Sequence, residues 1–179
     1  MDWFRILISA AAATTLLTGC ATPLAPRVEA PKLGVPVAAD ALAAQTLNVF
    51  PDGRGLPPGQ GSVKEGAQLF VRHCAGCHGR DGRGGTAEEL TGASRPHDQP
   101  AADNTIGSYW PFATTLFDFI RRAKPMTAPG TLNADEVYAL SAWLLHANGL
   151  IAADAVMDAA RLAAVRMPNR DGFIRVEAP

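Results

Sequence analysis

Everything in this sequence has to be arranged around one pentapeptide, Cys74-Ala75-Gly76-Cys77-His78. Two thiols three positions apart at the end of a helix are presented together, and the histidine that follows is carried to the same place. Three chemistries use this spacing. A thioredoxin-type dithiol needs a βαβ setting. A zinc site needs a fourth ligand and usually a second ligand pair at regular spacing, whereas His97 and His146 stand alone. The third is attachment of a c-type haem, with both cysteines in thioether bonds and the histidine under the iron. The flanking segments read as helical, which favours the third: one covalent haem c on Cys74, Cys77 and His78.

The chain has 179 residues, 47% hydrophobic and 18% charged, enough for one sizeable core. A formal net charge of -1 supplies no basic groove, so nucleic acid is set aside as a partner. Residues 1–19 read as a signal peptide: Arg5 is the positive end, and Ile6 to Leu17 is an apolar run too short to span a bilayer. The following Leu17-Thr18-Gly19-Cys20 run resembles the bacterial lipobox, which implies lipidation of Cys20 and a membrane anchor. An ordinary secretory signal with an incidental Cys20 is the competing reading, and both place the protein in the periplasm. In that oxidising compartment a leftover thiol is unusual. Lipid on Cys20 accounts for it and leaves Cys74 and Cys77 as a pair.

Residues 20–61 form a Pro-rich linker, expected to be partly ordered, with a possible short helix within Ala39 to Phe50. Forty flexible residues reach on the order of 35 Å. Residues 62–179 are the expected monohaem domain with a C-terminal extension. Ser62-Val63-Lys64-Glu65 has the form of a capping box, and a helix follows to the cysteines. Gly79 to Trp110 reads as an irregular loop that a buried haem would hold in place. Pro111 suits a first helical position, with Leu116, Phe117, Ile120 and Ala123 on one face until about Arg122. A second capping box, Asn133-Ala134-Asp135-Glu136, opens a helix with Val137, Leu140, Trp143 and Leu144 on one face and Gly149 as its stop. Asp154 to Val165 suggests another helix. No strand alternation is evident, so the expected fold class is all-α.

Gly66 and Phe70 before the pentapeptide, the Gly79-Arg80-Asp81-Gly82 turn after it, and Leu140 with Trp143 resemble class I cytochromes c. That resemblance implies terminal helices crossing closely at the glycine, with the aromatic side chain of one packed on the other. Four further segments resemble the cytochrome subunit of sulfur and sulfite dehydrogenases: Asn48 to Gly53, Ile106 to Asp118, Asp135 to Leu140, and Met167 to Phe173. This narrower resemblance implies a periplasmic molybdenum dehydrogenase subunit as electron donor and a downstream electron acceptor. The chain itself is then an electron carrier and not an enzyme, with catalysis in the partner. A cytochrome serving another dehydrogenase or oxidase, and a haem-based ligand sensor, are the alternatives.

A low-spin electron-transfer haem takes a second axial ligand, and methionine sulfur raises its potential. Met126, in Pro125-Met126-Thr127-Ala128-Pro129, has the chain order of the class I ligand, although sequences in that family often carry a methionine two positions earlier, where this chain has Lys124. Met167 lies in the family-like Met167-Pro168-Asn169-Arg170 segment and is placed slightly ahead, with the choice open. Met157 reads as core. Tyr109 and Trp110 are candidate donors to a haem propionate, and Arg121 or Arg122 a candidate ion-pair partner.

Overall fold

The computed structural model describes residues 33–45, 47–92 and 104–173. The expected signal segment, Cys20 and His97 lie outside the described residues. The chain divides into two units, Met1–Val37 and Ala38–Pro179, and every helix and strand among the described residues belongs to the second. In chain order these are α1 (Ala39–Gln45), β1 (Gln60–Ser62), α2 (Val63–His73), α3 (Ala75–His78), α4 (Ile106–Tyr109), α5 (Ala113–Ala123), α6 (Ala134–Ala147), β2 (Val156–Asp158) and α7 (Ala159–Ala164). The unit is mostly helical, with one small two-stranded sheet.

Both capping boxes form. Ser62 Oγ accepts from the Glu65 amide at 3.2 Å while Glu65 receives the Ser62 amide at 2.9 Å. Asn133 and Glu136 repeat the exchange at 3.0 and 2.9 Å at the start of α6. Each box satisfies two amides that a helix start otherwise leaves without partners. The helix α6 is buried around most of its circumference, including Val137, Tyr138, Ala139, Leu140, Leu144 and Leu145. It is therefore the central element of the core, where the spacing of its apolar residues suggested a single buried face.

The helices α2 and α6 cross at Gly66. A side chain there would run into the Ala139 carbonyl and come within 2.7 Å of Trp143 Cβ, so only hydrogen allows this approach. One turn along, Phe70 and Trp143 stack with ring centroids 3.9 Å apart and planes 28° from parallel.

Four expectations are corrected. The chain does contain strands: β1 and β2 pair antiparallel, with Gly61 opposite Met157. The Asp154–Val165 segment is thus a strand followed by the short α7, which Asp158 caps at the Arg161 amide, 2.8 Å. Within the expected loop, Ile106–Tyr109 is helical. The helix α5 begins at Ala113 and not at Pro111, because Phe112 is an extended cap residue (φ -140°, ψ 133°).

The folded unit also reaches upstream of Ser62. The Val49 amide donates to Asp118 Oδ1 at 3.1 Å, Tyr138 Oη donates to the Pro57 carbonyl at 2.8 Å, and the Gln60 amide donates to Asp135 Oδ1 at 2.8 Å. These bonds fasten residues 49–60 to α5 and α6. The C-terminal extension is fastened in turn: Asn169 Nδ2 donates to the Tyr109 carbonyl at 2.6 Å, and the Arg170 guanidinium lies 5.1 Å from the Phe112 ring centroid.

Candidate haem site

The pentapeptide spans the junction of α2 and α3. The Cys74 amide still belongs to α2, bonding the Phe70 carbonyl at 2.8 Å, and its carbonyl accepts from His78 at 3.0 Å. Cys74 is half-buried, Cys77 exposed, and the two thiols are not joined. Desolvation pushes the Cys74 thiol up to about 11, against the opposing pull of the Lys124 charge. The unreacted thiol is thus held protonated at neutral pH.

After His78 the chain turns back under the control of glycine. Gly79 and Gly82 have φ of 79° and 78°, and a side chain at Gly85 would run into the Cys77 carbonyl. The Ala87 amide donates to that carbonyl at 2.9 Å, the Leu90 amide to the Gly82 carbonyl at 2.7 Å, and Thr91 Oγ1 to the Asp81 carbonyl at 2.6 Å. Residues 79–92 are therefore tied together by hydrogen bonds of their own. The returning strand of this loop brings the Glu88 carbonyl to 2.7 Å from His78 Nδ1. With Nδ1 carrying the proton toward that carbonyl, Nε2 keeps its lone pair for a metal, the arrangement that orients a metal-binding imidazole.

Beside His78 opens a cleft with about 940 Å³ of atom-free space, part of it continuous with solvent. Phe70 of α2, Ile106 of α4, Leu116, Phe119 and Ile120 of α5, and Leu140 and Leu144 of α6 make its apolar walls. Cys74, His78, Trp110 and Lys124 supply polar atoms at its border.

The structure brings Cys74, His78 and Trp110 together on this cleft, with Cys77 one turn away on α3. It does not bring Tyr109 there: its ring lies edge-on to Phe173 at 5.5 Å, half exposed. Arg122 is paired with Asp118 and bonds Asn48 Oδ1 at 3.2 Å, and Arg121 is absent from the lining. His146, near the end of α6, has its Nδ1 3.0 Å from the Ile151 carbonyl.

Neither candidate methionine borders the cleft. Met126 is 74% exposed, beyond Pro125, whereas Met167 is 1% exposed in the hydrophobic core, where the pinned C-terminal extension puts it. Met157, on β2, is core as expected. Two contributors were not among the candidate site residues of the sequence reading. The Glu88 carbonyl is a backbone atom with no residue-type signal. Lys124 was noted in the sequence only as the residue standing where related sequences often carry a methionine.

The donor set fits haem c. Two thiols and an oriented imidazole emerge from one short helix beside a mostly apolar cleft, whereas no three His, Cys, Asp or Glu side chains cluster as a metal site among the described residues. When bound, a haem supplies one-electron chemistry at its iron.

The comparisons agree with this geometry. A family model described as cytochrome c matches residues 63–148. No curated protein sequence matches significantly. Among solved structures, a chain of the sulfane dehydrogenase SoxCD from Paracoccus pantotrophus is 37% identical, with a TM-score of 0.75, and the match covers 80% of this chain and 71% of that one. The chain belongs to the cytochrome c family and is a haem c electron-transfer protein similar to a chain of that dehydrogenase.

Proposed function

We propose that this protein is the periplasmic cytochrome subunit, or the direct electron acceptor, of a molybdenum dehydrogenase that oxidises sulfite or protein-bound sulfur. The observation that carries this reading is the likeness to the SoxCD sulfane dehydrogenase, 37% identical over 80% of the chain. In this reading Cys74 and Cys77 form the thioethers, and His78 binds iron on the proximal side. Trp110, on the cleft border, donates its indole N–H to a propionate. The helix α3 has no buried residue, so the attachment edge is open to a donor or acceptor docking there. Electrons enter and leave at that edge one at a time, and the oxidation of sulfur takes place in the partner. A lipid on Cys20 would keep the carrier at the membrane, near the downstream acceptor.

The test is isolation of the native protein with whatever accompanies it, followed by addition of sulfite or a sulfane-sulfur donor while the haem absorption is recorded. We expect a molybdenum-containing subunit to co-purify and substrate to reduce the haem. Reduction only by another dehydrogenase, or a haem that binds carbon monoxide and is reduced by none, would overturn the assignment in favour of a different carrier or a sensor.

A further inference from the structure

We infer that Lys124 is the sixth ligand of the haem iron, binding opposite His78 through Nζ; this rests on the assignment of Cys74, Cys77 and His78 above.

The methionines do not occupy the place such a ligand needs. To use Met167, the extension would have to withdraw a fully buried side chain from the core and give up the bond from Asn169 to Tyr109. Met126 lies past Pro125, outside the lining and largely in solvent.

The residues that do line the cleft can be sorted by the element that carries them. His73 is the last residue of α2, immediately before Cys74, and Glu88 and Glu89 belong to the loop whose carbonyl orients His78. All three belong to the segments that directly flank the pentapeptide. Asn104 presents an amide, a poor iron donor. Lys124 comes from a different element altogether. It ends α5, its amide closing the last turn on the Ile120 carbonyl at 3.0 Å, and its backbone then becomes extended (φ -127°, ψ 153°). Around it, Phe119, Ile120 and Pro125 also line the cleft.

The side chain is placed for such a role. Nζ lies 5.1 Å from the centroid of Phe119, one of the wall residues. The described acidic residues leave it unclaimed: the ion pairs involve Arg54, Arg122, Arg161 and Arg166. A four-carbon stem ending in a compact amine can swing from that ring into the cleft. It binds as the neutral amine, so one proton leaves Nζ for solvent and the freed lone pair forms the bond to iron.

Spectra of the purified holoprotein and four variants test this. The ferric wild type should be low-spin without the sulfur-to-iron charge-transfer band. Lys124→Met should gain that band and show a higher reduction potential, because thioether replaces a stronger donor. Lys124→Ala should lose the sixth ligand, becoming high-spin and open to carbon monoxide when reduced. Lys124→Arg decides between ligand and charge: guanidinium keeps the cation but has no lone pair to give, so it should behave like the alanine variant. Met167→Ala should keep the wild-type spectrum.

A sulfur band in the wild type that Met167→Ala or Met126→Ala abolishes would overturn the inference. So would wild-type spectra in Lys124→Arg and Lys124→Ala. Failure of the underlying haem assignment is read separately, as holoprotein without one covalent haem in its mass.

Discussion

The Nδ1 atom of His78 lies 2.7 Å from the carbonyl oxygen of Glu88, ten residues further along. That contact exists because a glycine-governed turn folds the chain back beneath α3. It sets the tautomer and fixes the ring plane before any metal arrives, and a firm acceptor at Nδ1 makes Nε2 a better electron donor. Attachment and orientation are thus separate tasks: the first belongs to the pentapeptide, the second to the loop that follows it.

The turn can be disturbed without touching a ligand. In Gly85→Ala the new methyl meets the Cys77 carbonyl, so the segment carrying Glu88 has to shift. We expect the variant still to carry one haem by mass, resistant to acid-acetone extraction. Its reduction potential should be higher, since a weaker acceptor leaves His78 a poorer donor to ferric iron. An unchanged potential in protein film voltammetry would show that the Glu88 carbonyl does not tune the iron.

Gly66→Ala should be among the most damaging single changes available. The added methyl overlaps the Ala139 carbonyl, which belongs to a helix backbone and cannot yield. Overpacking of this kind typically costs about 1 to 3 kcal/mol, and backbone overlap belongs at the upper end. The neighbouring Phe70–Trp143 stack offers a gentler measurement. A double-mutant cycle with leucine at each position should give a coupling of about 0.5 to 1.5 kcal/mol beyond lost area. Additive effects in chemical denaturation would mean that the rings merely fill space.

The division between what could and could not be read from the sequence follows range. Capping boxes are exchanges between residues three apart, so Ser62 with Glu65 and Asn133 with Glu136 were legible as written. The pairing of Gln60 with Asp158 joins distant ends of the domain across three residues, too short for an alternation pattern. The helix α4 has four residues in a stretch rich in turn formers, and local propensity gave no hint of it. The burial of Met167 was hidden for a different reason. The Met167 to Phe173 segment keeps its family-like sequence, but Asn169 holds it against Tyr109, and that places the methionine in the core.

Met167 and Met126 should therefore behave very differently as alanine variants. Truncating the fully buried Met167 should cost about 2 to 5 kcal/mol, the range for large-to-small changes in a packed core. The exposed Met126 should cost less than about 0.5 kcal/mol. Thermal unfolding of the two holoproteins checks this, and equal midpoints would contradict the packing.

Anchoring at the membrane is tested at Cys20, within the Leu17-Thr18-Gly19-Cys20 run. A single acyl chain binds a bilayer marginally, whereas several together anchor stably. Cys20→Ala should release the cytochrome from the membrane fraction or block removal of the signal segment. An unmodified N-terminal peptide in the mature wild-type protein would end this reading.

Tyr138 gives the domain a specific alkaline limit. Burial pushes its hydroxyl up to about 12, with the Asp158 charge acting in the same direction and Arg121 against it. The protonated form is the one that donates to Pro57 at 2.8 Å, holding the upstream segment on α6. In the unfolded chain the same group ionises near its ordinary value of about 10. The sign follows from linkage: a group whose folded value is raised contributes stability in full below about pH 10, and that contribution is lost as pH climbs through about 12. Tyr138→Phe removes both the hydrogen bond and the titration. At pH 8 the variant should be less stable by about 1 kcal/mol, because the Pro57 carbonyl loses its partner. Between pH 10 and 12 the gap should close, since only the wild type pays for keeping a buried proton. Denaturant unfolding of both proteins across that range measures the difference directly, and a gap that stayed constant with pH would show that the Tyr138 hydroxyl titrates alike in both states.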